Sequence, residues 1–110
     1  MSQPNPRRQQ IESMLVTEPT DRFLRYCLAV EMHADGDSES AIVKFDELCR
    51  EDPPHVAAFF RRAQVMVELE RIDQAREVLR AGIEIARQQK DLHAAGEMSE
   101  LLADLGQWGE

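Results

Sequence analysis

An all-α chain of stacked antiparallel helix pairs, about six helices in a single domain, is what three observations in the sequence predict. Apolar residues recur at three- and four-residue spacing along most of the chain, the rhythm of a helix with one buried face. Matching residues also recur thirty-four positions apart: Ala29 and Ala63, Met32 and Met66, Ala41 and Ala75, Phe45 and Leu79, Cys49 and Ile83. A period of about twenty to fifty residues marks units that cannot bury their apolar faces alone and stack to do so. Finally, there is no sustained two-residue alternation and no Asn-Gly or Asp-Gly hairpin between β-branched runs.

Taken in order, residues 1–5 are polar, contain Pro4 and are expected to be a disordered tail. Ile11, Met14 and Leu15 then make one stripe on a short helix from Pro6 to Thr17, ended by Pro19. Asp21 is the natural N-cap of a second helix, with Phe23, Leu24, Cys27, Leu28 and Met32 on its buried side and Gly36 as its stop. The third, from Ser38 to Arg50, carries Ala41, Ile42, Phe45, Leu48 and Cys49, and Pro53-Pro54 closes it. A fourth, from His55 to Leu69, has Phe59, Ala63 and Met66 on one side and Phe60, Gln64 and Val67 on another. Asp73 is a candidate start for the fifth, which continues through Val78, Leu79 and Ile83 to Gln89. Gly82 within it sacrifices about 1 kcal/mol of helix propensity against Ala, which implies a close helix contact there. The sixth helix, from Leu92 to Leu105, stops at Gly106.

Of the 110 residues 43% are apolar and 31% charged, a balance that fits neither a disordered chain nor a membrane protein. The formal net charge of -8 opposes a phosphate backbone, so nucleic acid is excluded as a general partner and a basic or neutral one favoured. Nothing in MSQPNPRRQQ resembles the apolar core of an export signal, so the expected location is the cytoplasm and no membrane is expected as a partner. Cys27 and Cys49 lack a paired-ligand spacing and read as buried free thiols.

The repeated unit resembles the tetratricopeptide repeat. Residues 22–55 supply Leu28, Ala29, Met32, the turn residue Gly36, then Ala41, Phe45 and Pro53. Residues 56–88 supply Phe59, Ala63, Met66, Ala75 and Leu79, with Arg62, Glu70 and Arg87 where that pattern has Leu, Gly and Pro. Residues 6–19 look like the closing half of a preceding unit and 91–106 like a capping helix, so the resemblance covers nearly the whole of a domain spanning 6–110. It implies a short right-handed superhelix.

It also implies a concave groove, lined by the first helix of each unit, that receives a peptide or helix from a partner. By position the lining would be Phe23, Tyr26, Val30 and His33, then Phe60, Arg61, Gln64 and Val67, then His93, Glu97 and Glu100. One half is apolar and the other charged, so the matching segment carries an apolar anchor and a basic residue. The family's carboxylate clamp has Lys and Asn where this chain has Tyr26 and Val30, which argues against a chaperone-tail ligand. Arg61 remains, either as a carboxylate ligand or in an ion pair with Glu97.

Two other sets complete the reading. His93, Glu97 and Glu100 share a helix face and could ligate a metal or act as acid and base, although such a spacing on a charged helix is ordinarily solvated. Met98, Leu101, Leu102, Leu105 and Trp108 form an apolar run that either caps the stack or mediates self-association. No phosphate loop or nucleophile elbow accompanies them. The reading is thus a non-catalytic interaction module with no catalytic residue, cofactor or metal. A homodimer is its alternative, and a metal-dependent enzyme the remotest one.

Overall fold

The computed structural model of the chain describes residues 4–106. Among them six helices follow one another: α1 (Pro6–Thr17), α2 (Arg22–Ala34), α3 (Ser38–Cys49), α4 (Val56–Glu68), α5 (Ile72–Gln88) and α6 (Leu92–Leu105). Each packs on the next, and α4 also touches α2 and α6, so these three make one layer with α3 and α5 behind it. No helix among the described residues is long and apolar enough to cross a membrane.

Local chemistry sets the ends. Asp21 accepts from the Leu24 N–H at 2.8 Å and Asp91 from that of Ala94 at 3.1 Å, each satisfying one orphan donor of a first turn. Asn5, in the stretch expected to be a tail, caps α1 by accepting from the Arg8 N–H at 3.0 Å. Its amide also donates to Glu31 at 3.1 Å and Asp35 at 3.0 Å. Arg8 meets Asp35 at 2.9 Å, and the Arg8 and Asn5 bonds together hold the Asp35 carboxyl below its usual range. Helix α5 starts at Ile72 behind Arg71, one residue ahead of the expected Asp73. Asp73 sits in its first turn, bonded to Arg76 at 2.8 Å.

Three turns share one geometry. The N–H groups of Asp37, Arg71 and Asp91 reach five residues back to the carbonyls of Met32, Met66 and Ala86 at 2.9, 2.8 and 2.8 Å. This Schellman closure needs a left-handed residue just before the donor. Gly36 meets the need at φ 88°, while Glu70 and Lys90 adopt φ 61° and 63° despite their side chains. Gly106, by contrast, ends α6 in right-handed helical conformation.

Ala29, Ala63, Ala41 and Ala75 are fully buried where helix axes approach, with Phe45 and Leu79 filling the space beside them. Gly82 is the tightest point: a Cβ there would lie 2.7 Å from the Met98 sulfur and 2.7 Å from Phe59 Cβ. Burial pushes the Cys49 thiol up to about 11, as expected of an inert core cysteine, whereas Cys27 is only half-buried.

Several expected positions differ. Phe23 is 69% exposed rather than packed, because Leu24 and Leu28, one turn apart, set the inward stripe of α2 and turn Phe23 away from it. Of the α1 stripe only Ile11 is buried, and Met14 is 46% exposed, since α1 has a single neighbour. Met98 and Leu105, read as part of a self-association surface, are 0% and 2% exposed and belong to the core against α5. Met98 occupies the space beside Gly82, and Leu105, two turns further along the same face, follows it inward. Trp108 lies outside the described residues.

Candidate protein-binding groove

Helices α2, α4 and α6 present one stripe each to a common face, and two depressions lie there. The first, about 250 Å³, is lined by Val30 and His33 of α2, Gln64, Val67 and Glu68 of α4, and Leu101 of α6, over a floor of Phe45 and Val65. The second, about 410 Å³, is lined by Tyr26, Phe60, Ala94 and Val56, with Asp91, His93 and Glu97 along one side. Arg61 and Gln64 line both and form the wall they share.

The repeat explains this pairing. His33, Val67 and Leu101 stand thirty-four residues apart, and so do Tyr26, Phe60 and Ala94. Each depression therefore includes one repeat position taken from α2, α4 and α6 in turn.

Hydrogen bonds fix the polar members. His33 is held between the Ser38 hydroxyl at 2.8 Å and the Glu68 carboxylate, which ties the α2–α3 turn to the end of α4. Arg61 Nε donates to the Tyr26 hydroxyl at 3.2 Å. Tyr26 itself stacks on His55, with ring centres 5.3 Å apart, and meets Phe45 edge-on at 5.7 Å. His55 Nδ1 is buried without a hydrogen-bond partner among the described residues, and burial, assisted by the nearby Arg22 charge, pushes that imidazole below its ordinary value.

Nine of the eleven groove residues read from the sequence line these two depressions: Tyr26, Val30, His33, Phe60, Arg61, Gln64, Val67, His93 and Glu97. Phe23 does not. It borders a separate hollow with Arg22, Pro53 and Pro54 at the edge of the layer. Glu100 does not either, because the α6 stripe runs through Ala94, Glu97 and Leu101 and Glu100 falls one position off it. In place of the Arg61–Glu97 ion pair, one of the two alternatives for Arg61, Arg61 bonds across to Tyr26 of α2 and Glu97 pairs within α6 with His93 at 3.2 Å. Nor do His93, Glu97 and Glu100 make a metal set: no group of three or more His, Cys, Asp and Glu gathers at metal-binding distance among the described residues.

Sequence reasoning missed Glu68, Asp91, Ala94 and Leu101 in the groove, together with Val56 and Ala57 and the floor residues Phe45 and Val65. Leu101 carried a readable signal, its thirty-four-residue step from Val67. Glu68 lies one helical turn beyond Gln64 on the same stripe, and Asp91 is a capping residue whose position depends on the α5–α6 turn.

A layer of small-residue helix crossings backed by a second layer, with a two-part hollow on the open face, defines a helical-repeat scaffold. The sequence model of the tetratricopeptide repeat matches residues 32–105, and the chain belongs to that family. The solution structure of a tetratricopeptide repeat domain protein from Salinibacter ruber is 29% identical, with a TM-score of 0.74 over 79% of this chain and 88% of that one. A crystal structure of a tetratricopeptide repeat domain protein from the same organism is 28% identical, with a TM-score of 0.71 over 78% of this chain and 97% of the other. No curated protein matches the chain. Domains of this family generally mediate protein–protein interaction.

Proposed function

We propose that the chain is a non-catalytic interaction module that holds a peptide or helix of a partner protein along the face of α2, α4 and α6, with an apolar side chain of the partner seated in the first depression. The observation that carries this reading is the first depression itself. Val30, Val67 and Leu101 wall it and are only half-buried, while Phe45 and Val65 beneath them complete an apolar socket. A single aliphatic or aromatic anchor in such a socket supplies most of the affinity of a short segment. The acidity of the chain favours a partner segment with basic character.

The test is a selection of peptides from a random dodecapeptide library, followed by amide chemical-shift mapping of the strongest binder. Shifts concentrated on α2, α4 and α6 are expected. Shifts confined to α3 and α5 would remove the groove from the reading.

Self-association is the second reading, and it draws on exposed Phe23 beside Pro53 and Pro54 in place of the C-terminal run. Light scattering decides it: a monomer mass at every concentration excludes it.

A further inference from the structure

Resting on that binding reading, we infer that the second depression is a seat for the basic side chain, arginine or lysine, of the bound segment, and that this seat fixes the residue's spacing from the apolar anchor. Tyr26 and Phe60 supply aromatic walls, and Asp91 and Glu97 supply carboxylates from the facing helix. Aromatic faces and carboxylates are the two surfaces that a guanidinium or ammonium group prefers. The aliphatic stem of a long basic side chain has Val56, Ala57 and Ala94 to lie against.

The carboxylates are positioned to receive donors. The Ala94 N–H engages one oxygen of Asp91 at 3.1 Å, which orients the group and leaves its second oxygen for another donor. Glu97 is held at 3.2 Å by His93, a contact close to the surface that an incoming cation can replace. Arg61 is the cation already on the shared wall, and its Nε is directed at the Tyr26 hydroxyl. An anionic side chain would gain Arg61 but come to rest beside both Asp91 and Glu97. A cationic one gains both carboxylates and has Arg61 on one side only. The charge of -8 on the whole chain weights the same choice.

Spacing follows from the helix. Phe60 and Val67, the α4 members of the two repeat positions that wall the depressions, are seven residues apart, about 10.5 Å along the helix axis. Three residues of an extended polyproline-type segment span about 9.3 Å, and seven residues of a helix about 10.5 Å, with the two side chains on one face in each case. The basic residue therefore stands three positions from the anchor in an extended partner or seven in a helical one.

The test uses the dodecapeptides selected on the full chain. Enrichment of arginine or lysine at three or seven positions from an aliphatic or aromatic residue is expected. For one such peptide, replacing the basic residue with norleucine weakens binding about tenfold. An Asp91→Asn, Glu97→Gln variant loses a similar factor, and on that variant the norleucine peptide loses nothing further. Asn keeps the α6 cap, so circular dichroism of the variant should match that of the parent. Peptides that map to the groove but are enriched in Asp or Glu, or that show no coupling in this cycle, overturn the basic seat while leaving the groove intact. Peptides that map to α3 and α5 overturn both.

Discussion

The two full repeats have the same helix pairing and solve it with different side chains, most plainly thirty-four residues apart at Leu48 and Gly82. In the first repeat Leu48 is fully buried and fills the second helix's inner face. In the second repeat Gly82 leaves that space to Phe59 and Met98, which close to within 2.7 Å of where a Cβ would stand. The corresponding residues one repeat earlier, Arg25 and Gln64, are polar and cannot fill a core in the same way. Volume is thus conserved across the crossing while its owner changes. The turns repeat the lesson, with Gly36 and Glu70 in one left-handed conformation. Stacking dictates the backbone, and the side chain accommodates it.

Exchanging residues between the repeats tests this directly. Leu48→Ala empties the first crossing and should cost about 2–5 kcal/mol, read as a lower urea midpoint. Gly82→Ala gains about 1 kcal/mol of helix propensity but overpacks Phe59 and Met98 by about 2 kcal/mol, so a net loss of about 1 kcal/mol is expected. A stabilised Gly82→Ala protein would mean that the second crossing has slack.

Glu70→Gly, which copies the first turn onto the second, should raise stability by about 1 kcal/mol, and Gly36→Ala should lower it by a similar amount. Equal melting temperatures for both turn variants and the parent would deny the left-handed strain. The smallest effect concerns the junctions, where His55 of the first corresponds to Gln89 of the second. Burial and Arg22 lower the His55 value in the fold, so the unfolded chain binds its proton first as pH drops. The neutral imidazole's contribution is complete above about pH 6.5 and declines as pH falls towards the folded value. The His55→Gln variant should therefore show a shallower stability slope between pH 7 and 5.5 than the parent.

The order and limits of the helices were readable because helical rhythm and a thirty-four-residue step reinforce each other. The strongest instance is α1, whose limits at Pro6 and Thr17 follow from two prolines and one stripe. What was not readable depends on who packs against whom. Phe23 and Leu24 are neighbours of similar hydrophobicity, and only the rotation of α2 decides that Leu24 goes inward. Met98 and Leu105 look like spare apolar surface until Gly82 creates the gap that claims Met98. Groove lining was legible on α2 and α4, as with Tyr26 and Phe60, and slipped on α6, where Ala94 and Leu101 keep the thirty-four-residue step and Glu100 stands one position off it.

Helix α1 rests on α2 alone and commits only Ile11 to the interior, whereas α6 commits Ala95, Met98 and Leu105. In an array held by nearest neighbours, each opening event costs only the interface it breaks. Amide protons of α1 should consequently exchange with solvent while those of α4 and α5 stay protected. Chain opening then has a direction, as in a zipper released from its amino-terminal end.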